Sequence, residues 1–122
     1  MSKFVSIETK LRERLYLKSA LEQLNCQMLK TKKIKTLLNR TFDVDLAVKA
    51  PFGIVGFRKD KSGEFNLVGD DMILAKNRKF AEQLAQQYAY AKVIAEAKKA
   101  GFQLVKEMVE EDKTMRLVLR KW

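Results

Sequence analysis

"KNRKFAEQLAQQYAYAKVIAEAKKA", residues Lys76–Ala100, is a long helical pattern around which the rest of the chain can be arranged. Phe80, Leu84, Tyr88, Ala91 and Ala95 recur at three- and four-residue intervals and form one stripe, with Ile94 near its edge. Tyr88 and Tyr90 stand two positions apart, and at 3.6 residues per turn such a pair points about 200° away from one another. Tyr90 therefore falls with Val93 and Ala97 on a second flank, which either meets another part of the chain or is shown to a partner. Gly101 is the expected stop, and Lys98 and Lys99 suit the negative end of the helix dipole.

Upstream, Phe42–Val48 and Ile54–Arg58 are β-like and separated by the turn-forming Ala50-Pro51-Phe52-Gly53. Lys61-Ser62-Gly63 then turns the chain into a further strand, Glu64–Val68, which Gly69-Asp70-Asp71 ends. At the N-terminus, Phe4–Thr9 reads as a strand, with Thr9 as a helix cap. Leu11, Leu15, Leu17, Ala20, Leu21 and Leu24 then predict a helix with one face on the core. Asn25 is its stop, and Cys26–Leu29 a short strand. Past the long helix, Phe102–Val109 and Thr114–Trp122 read as two strands around a turn at Glu111-Asp112-Lys113. The order is β-α-β-β-β-β-α-β-β: an α+β fold with two helices on one face of a largely antiparallel sheet.

At 122 residues the chain is the size of one ordinary domain, expected to span 1–122. Its 47% hydrophobic and 33% charged residues are the composition of a folded protein rather than a disordered one. No apolar run approaches the roughly 20 residues that span a bilayer, and "MSKFVSIETK" lacks the apolar middle of a secretion signal, so a soluble protein with no membrane span is expected. A lone Cys26 gives no internal disulfide and reads as a small core residue.

The absence of histidine decides more about function than any other count. It removes Ser-His-Asp and Cys-His catalysis and the commonest transition-metal ligand. With one cysteine, structural zinc and iron–sulfur sites made by this chain alone go too. Asp70 and Asp71, with Asp60, are the carboxylates that could approach Mg²⁺, but adjacent residues rarely converge on one ion, and they read as turn residues. Gly53–Gly56, "GIVG", has the spacing of an RNA-clamping loop without its basic middle. No catalytic, cofactor-binding or metal-binding residue is assigned, and a non-enzymatic protein is expected; the enzymatic alternative is a carboxylate- or tyrosine-based site, which a concave pocket gathering Asp70, Asp71 and a tyrosine would favour.

The net charge of +10 is uneven: residues 1–41 carry ten basic and three acidic residues, 42–71 four and six, and 72–122 eleven and six. Such an excess attracts nucleic acid, anionic membrane or acidic proteins, although A+T-rich coding also enriches lysine. The segment Lys30–Arg40, "KTKKIKTLLNR", has five basic residues and no acid, and its polarity suits a loop or an irregular edge strand with little to bury. Lys30, Lys32, Lys33, Lys35 and Arg40 are candidate contacts for an anionic partner, nucleic acid included. Tyr90 and, at the C-terminus, Arg116, Arg120, Lys121 and Trp122 are the other candidate contacts. An exposed edge strand near either terminus leaves room for a homodimer.

Four stretches together carry a resemblance: "MSKFVSIETKL" at Met1–Leu11, "GFRKDKSGEFNLVGD" at Gly56–Asp70, "QQYAYAKVIAEAKKAGF" at Gln86–Phe102 and "TMRLVLRKW" at Thr114–Trp122. In this order they resemble the uncharacterised conserved chloroplast reading-frame family, number thirty-five, of algal plastids and cyanobacteria, whose bacterial relatives form a domain of unknown function. Members often carry a histidine where Lys3 stands, so any role resting on that imidazole is in doubt for this chain. The resemblance implies a plastid stroma or cyanobacterial cytoplasm. It also implies an accessory or assembly role beside an AAA-type ATPase or a photosynthetic complex, and no particular activity.

Overall fold

The computed structural model describes residues 3–109 and 115–121, and the side chains of 3–102. The first strand, β1 (Phe4–Leu11), leads to helix α1 (Arg14–Gln23) and strand β2 (Gln27–Leu29). Two short strands, β3 (Lys33–Lys35) and β4 (Thr41–Asp43), precede β5 (Leu46–Ala50), β6 (Gly53–Lys59) and β7 (Phe65–Asp70). A short helix α2 (Asp71–Ala75), the long helix α3 (Phe80–Lys99) and strands β8 (Phe102–Val109) and β9 (Met115–Lys121) complete the order. The α+β class and the expected order of strands and long helices both hold. The differences are that α2 forms ahead of α3, that α3 starts at Phe80 rather than Lys76 because residues 76–79 form the turn between the two helices, that Phe42–Val48 is divided into β4 and β5, and that the basic segment contributes β3.

The main sheet is antiparallel with the strand order β1-β7-β6-β5-β2, while β3–β4 and β8–β9 form separate two-stranded ribbons. Strand alternation gives the sheet two apolar faces. Val48, Val55, Phe57, Phe65 and Leu67 pack with α1 and α3, joined by Leu17, Ala20, Leu21, Phe80, Leu84 and Tyr88. On the opposite face Ala47 and Val68 pack against Ile34 and Val44, with Phe4, Leu29 and Phe42 at the margin. The helices thus cover one face, and the β3–β4 ribbon covers part of the other.

Local chemistry explains the element ends. After α1, Asn25 takes φ 60°, and the amides of Cys26 and Asn25 donate to the carbonyls of Leu21 and Glu22 at 2.9 and 3.1 Å. This closes the helix with a left-handed residue, as asparagine tolerates. Gly101, φ 87°, does the same for α3. Thr9 is not the cap of α1: β1 runs on to Leu11 through a bulge, and the Thr9 hydroxyl bonds the carbonyl of Phe65 across the sheet. The start of α1 is held from outside instead, by the Tyr88 hydroxyl, which accepts from the amides of Glu13 and Arg12 at 2.9 and 3.3 Å.

Leu15 also departs from expectation. It is 73% exposed, while Tyr16, Leu17, Ala20 and Leu21 form the buried face. Leu15 precedes Leu17 by two residues, so the two point about 200° apart and cannot share a face. The same geometry separates Tyr88, buried against Tyr16 with ring centroids 5.9 Å apart, from Tyr90, which is half-buried.

Candidate docking surface

The basic segment is more ordered than its composition suggests. Lys33, Ile34 and Lys35 pair with Asp43, Phe42 and Thr41 in an antiparallel register. Alternation turns Ile34, 2% exposed, into the sheet, and leaves Lys33 and Lys35 on the solvent side. The K-I-K-T alternation of Lys33–Thr36 was the available signal, masked by the density of lysine around it.

Three contacts seat this ribbon. Ile34 and Val44 pack on Ala47 and Val68. Gly56 of β6 lies under Val44, where an added Cβ would come within 2.5 Å of Val44 Cγ1. Here "GIVG" earns its second glycine: the ribbon approaches the sheet too closely for a side chain. The third contact is polar. Asp70, 1% exposed, accepts from the Leu37 amide at 2.9 Å through one carboxylate oxygen and from the Met72 amide at 2.9 Å through the other. One buried carboxylate therefore caps α2 and ties down the ribbon's turn. Thr36, also buried, closes that turn by accepting from the Arg40 amide at 3.1 Å.

The pinned turn holds Leu37 and Leu38 outward, 61% and 59% exposed. Sequence reading had missed this apolar pair. Lys30, Lys32, Lys33, Lys35 and Arg40 are all exposed, and none is in an ion pair among the described residues. At the ribbon's flank the Arg58 guanidinium lies 5.1 Å from the centre of the Phe42 ring. The result is a fixed cationic surface ending in two leucines.

The other candidate residues lie elsewhere. Tyr90 is on α3, across the sheet, beside a groove with Leu15, Tyr16 and Ile94. Arg116, Arg120 and Lys121 belong to β9, whose side chains are not described, and Trp122 lies outside the described residues.

The three turn carboxylates occupy separate positions. Asp60 accepts from the Ser62 hydroxyl, the Ser62 amide and the Glu64 amide at 2.5, 2.9 and 3.1 Å. The Ser62 hydroxyl, helped by those amides, holds the Asp60 carboxyl below its ordinary range. Asp71 accepts from the Lys3 amide at 3.1 Å and pins the start of β1. The cavity beside Asp71 contains neither Asp70 nor a tyrosine. Among the described residues no cluster of three His, Cys, Asp or Glu side chains could hold a metal ion. Burial pushes the Cys26 thiol up, which disfavours the thiolate a nucleophile would need. Among those residues, too, no helix is long and apolar enough to cross a membrane.

Comparison with known proteins agrees with the resemblance seen in the sequence. The chain is 30% identical over 117 residues to "Uncharacterized protein ycf35" of Trieres chinensis, covering 92% of this chain and 91% of the relative. It is 28% and 30% identical over 127 aligned positions to the proteins of that name from Pyropia yezoensis and Cyanophora paradoxa, covering 100% of this chain and 98% of each relative. No solved structure matches. The family model described as "Protein of unknown function (DUF1257)" matches residues 20–118, and the chain belongs to that family.

Proposed function

We propose that this chain is a non-enzymatic accessory protein, acting as one domain, that docks an acidic protein partner through the outer face and tip of the β3–β4 ribbon. The observation that carries the reading is the combination at that site: Lys33 and Lys35 on a strand anchored by Ile34, beside the exposed pair Leu37 and Leu38. Fixed cations around an apolar contact suit a protein interface, where complementary charge steers approach and apolar burial holds the complex. An unordered lysine loop would lose more side-chain and backbone entropy on binding. The plastid-type relatives support a plastid stroma or cyanobacterial cytoplasm as the setting, with an ATPase-linked or photosynthetic complex as the place to look for the partner.

Nucleic acid is the second reading, favoured by five cations with no acid across Lys30–Arg40. Against it, the ribbon's aromatic ring, Phe42, is half-buried beneath Arg58 rather than presented for stacking. The test is capture from plastid or cyanobacterial extract, before and after nuclease, with the wild type and a K33E/K35E variant. Nuclease-resistant recovery of one protein, lost on charge reversal, supports the docking reading. Recovery abolished by nuclease moves the assignment to nucleic acid, and equal recovery by the variant removes the ribbon from both.

A further inference from the structure

The main sheet ends in two unlike edges. One is β2, with three residues, and the other is β1, with eight. The direction of β1's free backbone groups follows from its first bonds. The Asp71 amide donates to the Lys3 carbonyl at 2.8 Å, and the Lys3 amide donates to the Asp71 carboxylate at 3.1 Å, so the backbone of Lys3 faces β7. These groups alternate along an antiparallel strand. Val5 and Ile7 therefore also bond β7, whereas the N–H and C=O groups of Phe4, Ser6 and Glu8 face away from it. Among the described residues no third element pairs with them.

Sheets blunt such an edge with proline, charge or a bulge. β1 does so in its second half, where the register shifts between Glu8 and Leu11 and Lys10 takes φ 61°. Phe4–Ile7 carries neither proline nor charge. On the helix side of this open half lies a concavity of about 330 Å³ with the apolar lining Val5, Ile7, Leu67, Leu74, Ala75 and Ala81. Ile7 is 37% exposed. The charges around the edge balance: Lys3 and Glu8 on or beside the strand, and Asp71 and Arg78 in the concavity, are two of each sign on a chain of net charge +10. An acidic partner has no excess of cations to steer it here. Two copies, by contrast, meet here without the repulsion that the basic ribbon imposes.

We propose that β1 pairs antiparallel with β1 of a second copy across a two-fold axis at Ser6, joining the two five-stranded sheets edge to edge. The free groups set the register. With Ser6 opposite its own counterpart, Phe4 lies opposite Glu8 and Glu8 opposite Phe4, so every outward-facing position of both copies is bonded. Moving the axis to Ile7 sets Phe4 against Lys10, whose left-handed backbone leaves the ladder. Moving it to Val5 carries Glu8 past the start of the strand. The Ser6 register also keeps the two Glu8 carboxylates from facing each other. On the helix side it places Val5 opposite Ile7 of the second copy, so the apolar linings of the two concavities continue into one another. A patch that is complementary to itself in this way is what an isologous interface requires. The inference is independent of the ribbon's docking role, which rests on other residues.

Sedimentation velocity of the full chain over a range of concentrations, with amide exchange at the same concentrations, tests it. A dimer with a Kd in the micromolar range is expected, as suits a strand edge with a small apolar patch. Its signature is alternate protection. The amides of Phe4, Ser6 and Glu8 should exchange more slowly as concentration rises, while those of Val5 and Ile7, already bonded to β7, should not change. Ser6→Pro removes an outward-facing N–H that β7 does not use, the place where an edge strand tolerates proline, and should weaken the dimer at least about tenfold. Ile7→Lys leaves the backbone alone, sets a cation against the second copy's Val5, and should weaken the dimer as much. A chain that stays monomeric up to about 1 mM, a dimer without the alternate protection, or open-ended assembly in place of a dimer would overturn the proposal. So would a folded Ser6→Pro or Ile7→Lys chain that dimerises as the wild type does.

Discussion

The two faces of the main sheet are built to different standards. On the helix face, side chains from β1, β5, β6 and β7 and from all three helices interlock, with Phe57, Leu17, Leu21 and Leu84 inaccessible to solvent. On the ribbon face the packing is thin: Ile34, Val44, Ala47 and Val68 make the contact, and a single buried carboxylate fixes the turn. The thick face carries the stability, and the thin face holds a charged surface in position. Opening the ribbon should therefore cost much less than unfolding the sheet, since local stability follows the local density of apolar contacts.

This contrast can be probed by removing one feature at a time. Phe57→Ala, at the centre of the helix face, should cost about 3–5 kcal/mol and lower the global denaturation midpoint, because the cavity cannot refill. Asp70→Ala removes the charged acceptor shared by the Leu37 and Met72 amides, a loss of about 1–3 kcal/mol for these part-buried bonds. Amide exchange should then accelerate across Lys33–Asp43 more than in β6; uniform acceleration would mean that the ribbon and sheet unfold as one unit. Gly56→Ala should displace Val44 and cost about 1–3 kcal/mol through overpacking, with the same ribbon-first exchange pattern. The smallest effect is expected at the β6–β7 turn. Asp60's carboxyl is held below its unfolded value, so its contribution is present above the unfolded pKa, near 3.9, and is lost as pH falls through the folded one. Asp60→Asn should flatten the turn's acid response in a pH titration of the Ser62 and Glu64 amides, and an unchanged response would remove Asp60 as its source.

Where residues alternate or recur without competing signals, the sequence predicted the structure. The long helix, its Phe80-Leu84-Tyr88 stripe, both helix stops and the β6–β7 hairpin all follow from periodicity and turn residues. Failures arose where one physical signal hid another. Lysine density around Ile34 concealed a two-residue period, because polarity reads as loop until a partner strand is known. Leu15 looked like core because its four-residue spacing from Leu11 reads as one helical turn, whereas Leu11 belongs to β1 and the buried face of α1 is set by Tyr16, Leu17, Ala20 and Leu21. Asp70 could be read as a turn residue, but its bond to Leu37 spans 33 positions and depends on a ribbon that folds over the sheet. The exposed leucines were illegible for the same reason: it is the bond beneath them that keeps them out.

On the proposed reading, the ribbon's cations serve a partner and not the fold. The most direct measurement pairs thermal unfolding with capture from extract for wild type, K33Q/K35Q, which removes the charge without setting an acid opposite Asp43, and L37S/L38S. All three should melt within about 0.5 kcal/mol of one another, as exposed substitutions do, while both variants lose the nuclease-resistant protein that the wild type recovers. Variants that destabilise the sheet, or that recover that protein as well as the wild type does, would contradict the account.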